Sequence, residues 1–454
     1  MNENILKNFK NKKVLVMGLG RFGGGIDSAM FATRYAKEVI VTDMAVEEKL
    51  KASIGKLDGI SNITFCLGKH QESDFENCDT VIVNPAINPD NNKYLKIAKD
   101  SGAFITSQIE IFFELCPAKI VAITGSNGKS TTTALTFHLL NNNPPKMQTY
   151  NNVFLSGNIG NKPLLEIIDN IKADDIVVLE ISSFQLEQLA RIKKSPNVAL
   201  ITNITPNHLD RHITFQNYID AKEYIFKFQK AGDVAIFNGE DEEAVKLMNK
   251  VASYSPATCM TYNCSDLPLR FAEITPLPGR ANFSNLAGAV AIARQLGMGN
   301  KSIKKAIETF KALPHRLECV SRKNGIRWYN DSIATTPESV MVAIEAFEQN
   351  KIIIAGGYDK GISFEKLGQK IVENKNTIKA IILIGQTTPK IAAAIPADTV
   401  KVEMAGTLED AVKLANSIAS SGDVVLLSPA CASYDMFDNF QQRGEMFAEF
   451  ARKI

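Results

Sequence analysis

The segment Gly125-Ser126-Asn127-Gly128-Lys129-Ser130-Thr131 holds the residue types and spacing that most directly suggest chemistry. It follows the β-branched run KIVAIT and opens a stretch with helical periodicity. Glycines let the backbone turn tightly, so that amide hydrogens and a helix N-terminus face a phosphate. Lys129 then adds a positive charge beside the terminal phosphates, and the hydroxyl of Ser130 or Thr131 is placed to coordinate magnesium. The strict phosphate-loop spacing fails, because Ile123 stands at the position of its first glycine. A plain glycine turn is the competing reading, but Gly-Lys-Ser-Thr directly after a buried strand favours the phosphate.

Two further runs end in polar residues: DIVVLE at Glu180, and NVALIT shortly before Asn203 and His208. In open parallel sheets, ligands bind outside the carboxyl ends of the strands. Lys129, Glu180 and His208 are therefore expected on one edge, with Glu180 and His208 as candidate magnesium ligands. Taken singly, an exposed loop carboxylate and a satisfied core histidine are the blander readings; at three strand ends together, the functional one prevails. His208 and His212 are also spaced for zinc, but Leu209 stands where a zinc-protease helix needs glutamate, so zinc is rejected. Lys222 lies inside the apolar stripe Phe215, Tyr218, Ile219, Ile225 and Phe226 of a helical segment. Burial lowers a lysine pKa, and a neutral amine captures carbon dioxide to form a carbamate, an anionic metal ligand. From the residues alone, a lysine snorkelling out of the stripe is the favoured reading.

The elements that must position these residues are short β-branched runs alternating with helical stretches, the pattern of parallel α/β layers. They form three series. KVLVM, VIVT and TVIVN come first; KIVAIT, DIVVLE, NVALIT and VAIF second; KIIIA, AIILIG, VKVE and VVLLS third. Three α/β domains are expected over residues 1–106, 107–312 and 313–454, which suits a chain of 454 residues. In the first, KKVLVM runs into Gly18-Leu19-Gly20-Arg21-Phe22-Gly23-Gly24-Gly25, and Asp43 ends the next strand. This fits a dinucleotide fingerprint by spacing, and a diphosphate is all that such a fingerprint recognises. An NAD(P) oxidoreductase built on this loop is one rival reading, although it leaves the Lys129 loop unexplained. A non-catalytic nucleotide-binding regulator or motor is another.

Composition excludes other classes. Net charge is +2, so bulk charge points to no nucleic-acid or membrane partner. No apolar run approaches the ~20 residues of a membrane helix, and the start does not read as a signal peptide. The seven cysteines are scattered, without the tight pairs of a zinc site, and read as thiols of a reducing compartment. A cytoplasmic location is expected.

The motifs taken together resemble the Mur ligase family. ITGSNGKSTTT, LEISSFQLE, NITPNHLDRH, AKEYIF, PGRANFSNLAGA, LPHRLE, YNDSIATTPES, GGYDKG and LLSPACASYDMFDNFQQRGEMF occur in that family's order. The resemblance spans nearly the whole chain, and the last block matches the D-glutamate-adding branch. The Asp-Asn-Pro-Arg signature of the diaminopimelate- or lysine-adding branch is absent from this sequence. The resemblance implies a Rossmann-like first domain, a central phosphate-loop domain and a Rossmann-like third domain. It also implies ATP-dependent joining of D-glutamate to UDP-N-acetylmuramoyl-L-alanine through an acyl phosphate, by a monomer using ATP and two magnesium ions. A sister ligase, or a folylpolyglutamate synthetase of the same superfamily, is the nearest rival.

Site residues follow from the same resemblance. Lys129 would stabilise the migrating phosphoryl group, with Ser130, Glu180, His208 and a carbamylated Lys222 holding magnesium. The loop Gly125, Ser126, Asn127, Gly128 and Thr131 would bind ATP together with Asn282, Asn285, Arg316 and Asp331. Gly18, Leu19, Gly20, Arg21, Phe22 and Asp43 would hold the UDP end, and Asn158 the muramoyl part. Thr335, Lys360, Ser433, Tyr434 and Phe440 would cradle D-glutamate. The sequence departs from the family pattern at Ala281, at Ile333 and at Asn84-Pro85-Ala86-Ile87.

Overall fold

The computed structural model describes residues 3–20, 23–87, 91–144, 148–159 and 163–454. Three sheets carry the chain. The first has the order β3-β2-β1-β4-β5 and is wholly parallel. Its strands are β1 (Lys13–Met17), β2 (Glu38–Asp43), β3 (Ile63–Leu67), β4 (Thr80–Val83) and β5 (Phe104–Thr106).

The second sheet, also parallel, has the order β11-β10-β9-β6-β8-β7. It comprises β6 (Lys119–Thr124), β7 (Val153–Gly157), β8 (Ile176–Glu180), β9 (Val198–Ile201), β10 (Val234–Asn238) and β11 (Thr258–Tyr262). The third has the order β12-β13-β17-β14-β15-β16 and is parallel except for the β12–β13 hairpin. Its strands are β12 (Glu318–Lys323), β13 (Ile326–Asn330), β14 (Lys351–Gly356), β15 (Ile378–Ile384), β16 (Lys401–Met404) and β17 (Val424–Leu427).

Every expected strand run is a strand. The central ones, such as IVVLE and VALI, are buried throughout. This is why they read as continuous apolar runs: helices cover both faces of a parallel sheet. Six strands are missing from the expected runs: β3, β5, β7, β11 and β12 are sheet edges with mixed burial, and β13, beside the β12 edge, is mostly buried but carries Arg327 and Asn330 in IRWYN.

Seven helices matter for the site: α1 (Gly24–Thr33), α2 (Gln108–Leu115), α3 (Lys129–Asn141), α4 (Ser183–Arg191), α5 (Phe215–Lys227), α6 (Arg280–Gln295) and α7 (Phe440–Lys453). Helix α5 starts because the Thr214 side chain accepts from the Asn217 amide. It buries Tyr218, Ala221, Lys222, Ile225 and Phe226, the expected stripe with its lysine included; Phe215 and Ile219 are only partly buried. Phe226 stacks on Phe237 of β10 at 4.4 Å between ring centroids. Burying such a ring stabilises the layer by roughly 2–3 kcal/mol. Helix α4 opens with a capping box in which Ser182 and Gln185 satisfy each other's backbone donors.

By contacts, the chain divides into two compact units, Met1–Asp266 with Ala287–Ala306, and Leu267–Leu286 with Ile307–Ile454. The first two sheets lie in one unit and the third in the other.

Candidate active site

In the second sheet the chain passes from β6 to the edge strand β7, returns to β8 beside β6, then crosses to the other side of β6 at β9. The crevice of such a reversal lies at the carboxyl ends of the central strands. Three of the expected residues are there. Lys129 follows β6, Glu180 ends β8, and His208 lies in the segment after β9.

The turn after β6 is over-determined. Gly125 has φ +146°, and a Cβ on it would sit 1.9 Å from Thr202 Oγ1. Gly128, at φ +82°, caps α3 in the left-handed region. The Asn127 amide donates to Asn203 Oδ1 at 2.9 Å, and Thr202 Oγ1 donates to the Asn127 carbonyl at 2.6 Å. Ser126 Oγ donates to the Thr205 carbonyl, accepts from the Thr205 amide, and meets the Tyr218 hydroxyl at 3.1 Å. Residues of the β9 loop and α5 thus hold the phosphate loop in shape. Lys129 Nζ donates to the carbonyls of Gly125 and Ser126 at 3.1 and 2.8 Å.

Lys222 does not snorkel. It is 1% exposed, and its Nζ donates to the Gly125 carbonyl at 2.8 Å while lying 4.5 Å from the centre of the Tyr218 ring. Burial first, and the nearby Lys129 charge second, push its pKa well below the usual lysine range. Glu180 is 5% exposed, and its Oε2 is buried without a hydrogen-bond partner. Gly157 lets β7 close against it, since a Cβ there would lie 2.4 Å from the Glu180 carbonyl oxygen. His208 has φ +53°, and burial followed by the Lys129 charge lowers its pKa, with Asp210 opposing. Its imidazole is thereby kept neutral, the form that binds metals.

These donors fit a divalent cation. Glu180 brings a carboxylate with an unpartnered buried oxygen, His208 a neutral imidazole, and Ser130 and Thr131 hydroxyls at the head of α3. Among the described residues no group of three or more His, Cys, Asp or Glu gathers as a metal site. The zinc arrangement rejected from the sequence is not formed. His212 Nε2 meets Ser183 Oγ at 2.9 Å, its Nδ1 lies 3.3 Å from Glu187 Oε1, and its pKa falls to about 4 through burial. Beside these residues a cleft of ≈700 Å³ opens between Pro85 and Ile87 on one side and Phe184, Arg211 and Asn217 on the other. Lys129, Glu180, His208 and Lys222 do not line it.

At the first sheet, Gly18 (φ +93°) and Gly20 (φ +62°) follow β1 at its reversal. Asp43 accepts from the amides of Gly20 at 3.0 Å and Ala45 at 2.8 Å, so its carboxylate shapes the glycine loop. Asn84 closes on that loop as well; a Cβ on Gly18 would lie 2.9 Å from Asn84 Cβ. Arg21 and Phe22 lie outside the described residues. Asn158 is exposed just after β7.

The third sheet gathers its own cluster. Asp331 follows β13 and is 5% exposed; its carboxylate accepts from the Leu317 amide and from Ser428 Oγ. Burial lifts its carboxyl to about 7. Ser433 is buried, Tyr434 and Lys360 are exposed, and Thr335 and Phe440 are half-buried. Tyr434 meets Tyr358 edge-on, with 6.1 Å between ring centroids. Asn282 donates to the Pro278 carbonyl and accepts from Asn285 in the first turn of α6. Arg316 is half-buried beside Leu317.

The sequence reading did not single out Arg443 of α7. It is 0% exposed, and it donates to Ser332 Oγ and to the carbonyls of Ser332, Cys431 and Ala432. It fixes the loop that carries Ser433. Tyr218, Thr202 and Asn203 were likewise not assigned. The one available signal was their place in or beside the quoted motifs.

Residues 123–293 match the Mur ligase middle domain, and residues 315–431 match the Mur ligase, glutamate ligase domain. The UDP-N-acetylmuramoylalanine--D-glutamate ligase of Acetivibrio thermocellus is 38% identical, over 99% of this chain and 98% of that one. The chain belongs to the Mur ligase family.

The enzyme of the same name from Clostridium tetani is 36% identical over 98% of this chain and 97% of its own. Among solved structures, the MurF ligase of Thermotoga maritima in complex with ADP superposes with a TM-score of 0.60 at 18% identity, covering 99% of this chain and 97% of that one. The UDP-N-acetylmuramate-alanine ligase MurC of the same organism gives 0.58 at 20% identity, covering 97% and 99%. At those identities the superpositions speak for the three-domain α/β fold alone. No helix among the described residues is long and apolar enough to cross a membrane.

Proposed function

We infer that this Mur ligase adds D-glutamate to UDP-N-acetylmuramoyl-L-alanine at the expense of ATP, in peptidoglycan precursor synthesis in the cytoplasm. The observation that carries the chemistry is one sheet edge joining a phosphate loop, a buried unpartnered Glu180 oxygen and a buried Lys222 amine. The near-full-length relatives supply the identity of the substrates.

A carboxylate is a poor electrophile, so it must be activated before an amine attacks it. Transfer of the γ-phosphoryl group of ATP to the substrate carboxylate gives an acyl phosphate. The D-glutamate amine then adds to the acyl carbon, loses a proton, and the tetrahedral intermediate expels phosphate to leave the amide. Lys129 and the loop amides offset the charge on the migrating phosphoryl group, and positioning does most of the rest. Glu180, His208, the Ser130 hydroxyl and Lys222 as its carbamate would hold magnesium, which would supply further charge neutralisation. The Lys222 amine reaches that state by forming an N–C bond to carbon dioxide and releasing a proton to solvent. Its lowered pKa provides the neutral nitrogen that this addition needs.

In the same reading, domains 1–106, 107–312 and 313–454 bind the UDP end, ATP and the amino acid respectively. Gly18, Leu19, Gly20, Arg21, Phe22 and Asp43 hold UDP, and Asn158 holds the muramoyl part. Asn282, Asn285, Arg316 and Asp331 hold ATP; Thr335, Lys360, Ser433, Tyr434 and Phe440 hold D-glutamate. The test is phosphate release from ATP and magnesium with UDP-N-acetylmuramoyl-L-alanine, adding D- or L-glutamate in parallel. Release with a new amide product is expected for D-glutamate only. Release with neither, despite ATP binding, would refute the acceptor assignment.

A further inference from the structure

Arg211 bridges the first two sheets inside the compact unit that holds both. It stands on the single helical turn Leu209–His212, three residues after His208. Its Nη1 donates to the Ala86 carbonyl at 3.2 Å, and its guanidinium carbon lies 5.0 Å from the centre of the Phe184 ring. The side chain is only 16% exposed, and Nη2 lies 3.6 Å from Glu187 Oε2. An ion pair that long, to a partly solvated carboxylate, contributes little. What holds the guanidinium is a carbonyl on one side and a ring face on the other.

Each end of this bridge leads to an expected site. Ala86 belongs to the segment 84–87 after β4, and its amide donates to Asn84 Oδ1 at 3.0 Å. Asn84 Nδ2 donates in turn to the Gly18 carbonyl at 3.4 Å, at the head of the glycine loop. At the other end, Phe184 of α4 meets the His208 ring at 5.2 Å between centroids and stacks with the His212 ring at 5.4 Å. Contact therefore runs without a break from Gly18 through Asn84, Ala86, Arg211 and Phe184 to His208.

The turn that carries Arg211 is strained at both ends. His208 at φ +53° and Ile213 at φ +69° flank it, left-handed without being glycine. Ile213 centres a γ-turn, in which the Thr214 amide donates to the His212 carbonyl at 2.8 Å. A β-branched residue is an outlier there, and at 79% exposure its own packing does not offset the cost. Such a backbone persists where its surroundings over-determine it. Here Asn217 Nδ2 donates to the same His212 carbonyl at 2.8 Å, Ser183 Oγ meets His212 Nε2, and Arg211 holds Ala86.

We propose that Arg211 is a positioning residue whose bridge from Ala86 to Phe184 sets the register between the glycine-loop side of the site and His208, and with it the alignment of the UDP-sugar carboxylate for phosphoryl transfer. This rests on the substrate reading given above. A planar guanidinium faces a ring and donates in its own plane at the same time, which an ammonium cannot do. Loss of alignment falls on the reacting complex and not on the binding of either substrate.

The test compares wild type with Arg211→Met, which keeps the stem on Phe184 and loses the bond to Ala86. Its kcat should fall about tenfold, the size of a sub-ångström misplacement, with KM for ATP and for the UDP-sugar within about twofold. Manganese binding to the substrate-free protein, read by electron paramagnetic resonance, should stay within about twofold as well. Arg211→Lys, which keeps the charge, should not restore kcat, and it serves as the second variant if Arg211→Met does not fold. An unchanged kcat, whether or not the melting temperature falls, would make Arg211 structural filler. Manganese affinity that falls in step with kcat would make it a support of the metal site alone, and full activity of Arg211→Lys would make it a matter of charge; each overturns the proposal. Wild-type protein that turns over none of these substrates would instead overturn the substrate reading, and the alignment role with it.

Discussion

Two cations are buried to the same degree in this chain, Lys222 at 1% exposure and Arg443 at 0%, and the protein treats them in opposite ways. Arg443 spends its donors on Ser332 Oγ at 2.9 Å and on three carbonyls at 2.9 to 3.3 Å. Burial lowers it only to about 10, so it stays charged at neutral pH and locks the loop 431–434. Lys222 has one short hydrogen bond, to the Gly125 carbonyl, and a long one to Thr124 Oγ1 at 3.5 Å. The Lys129 charge repels it. Guanidinium serves where a buried charge must persist and organise carbonyls. An amine serves where the charge must be able to leave.

The largest expected effect follows from Lys222. Lys222→Ala should lower kcat by ~10²–10³-fold, the usual cost of losing an electrostatic contact to the transition state. Acetate or formate, filling the space of the carbamate, should restore part of it. Full activity of the unrescued variant would remove the carbamate from the mechanism. Arg443→Lys should behave otherwise, since an ammonium cannot reach four acceptors at once. Its unfolding free energy should drop by about 3 kcal/mol in urea titrations, as for a broken buried charge network. Small carboxylates should not help, and rescue by acetate would erase the distinction drawn between the two sites.

A smaller effect sharpens the contrast from the acidic side. Asp331 keeps its proton up to about pH 7 in the folded chain, whereas an exposed aspartate releases it near 3.8. Between those values the folded state holds the extra proton, so stability falls as pH rises and levels off above about 7. The penalty should reach on the order of 4 kcal/mol at pH 7.5. Asp331→Asn should lack that slope when urea midpoints at pH 4.5 and pH 7.5 are compared. An unchanged slope would mean that the carboxylate is already ionised in the fold.

The sequence made the middle domain more legible than the third. Parallel strands β6 and β8 carry their chemical residues at or just past their carboxyl ends, and β9 leads into the loop that bears His208, so apolar runs and the glycine loop after the first of them pointed to Lys129, Glu180 and His208. Lys222 stood out because a charge interrupted an apolar stripe. From the residues alone it was expected to snorkel out of the stripe; the structure instead buries it, against the Gly125 carbonyl and the Tyr218 ring. Arg443 gave no such sign. In FQQRGEMF it reads as one more polar residue on a helix, and its burial depends on carbonyls of Ser332 and Cys431 supplied from elsewhere in the chain. The edge strands β3 and β12 were missed because half-exposed strands mix polar and apolar residues.

The claim that Lys222 is a reactive amine at the heart of the site is tested most directly by carbon-13 NMR of the protein equilibrated with labelled bicarbonate. The account predicts one slowly exchanging carbamate resonance in the wild type that is absent from Lys222→Ala and retained in Arg443→Lys. An active wild-type enzyme with no Lys222-dependent carbamate signal would contradict it.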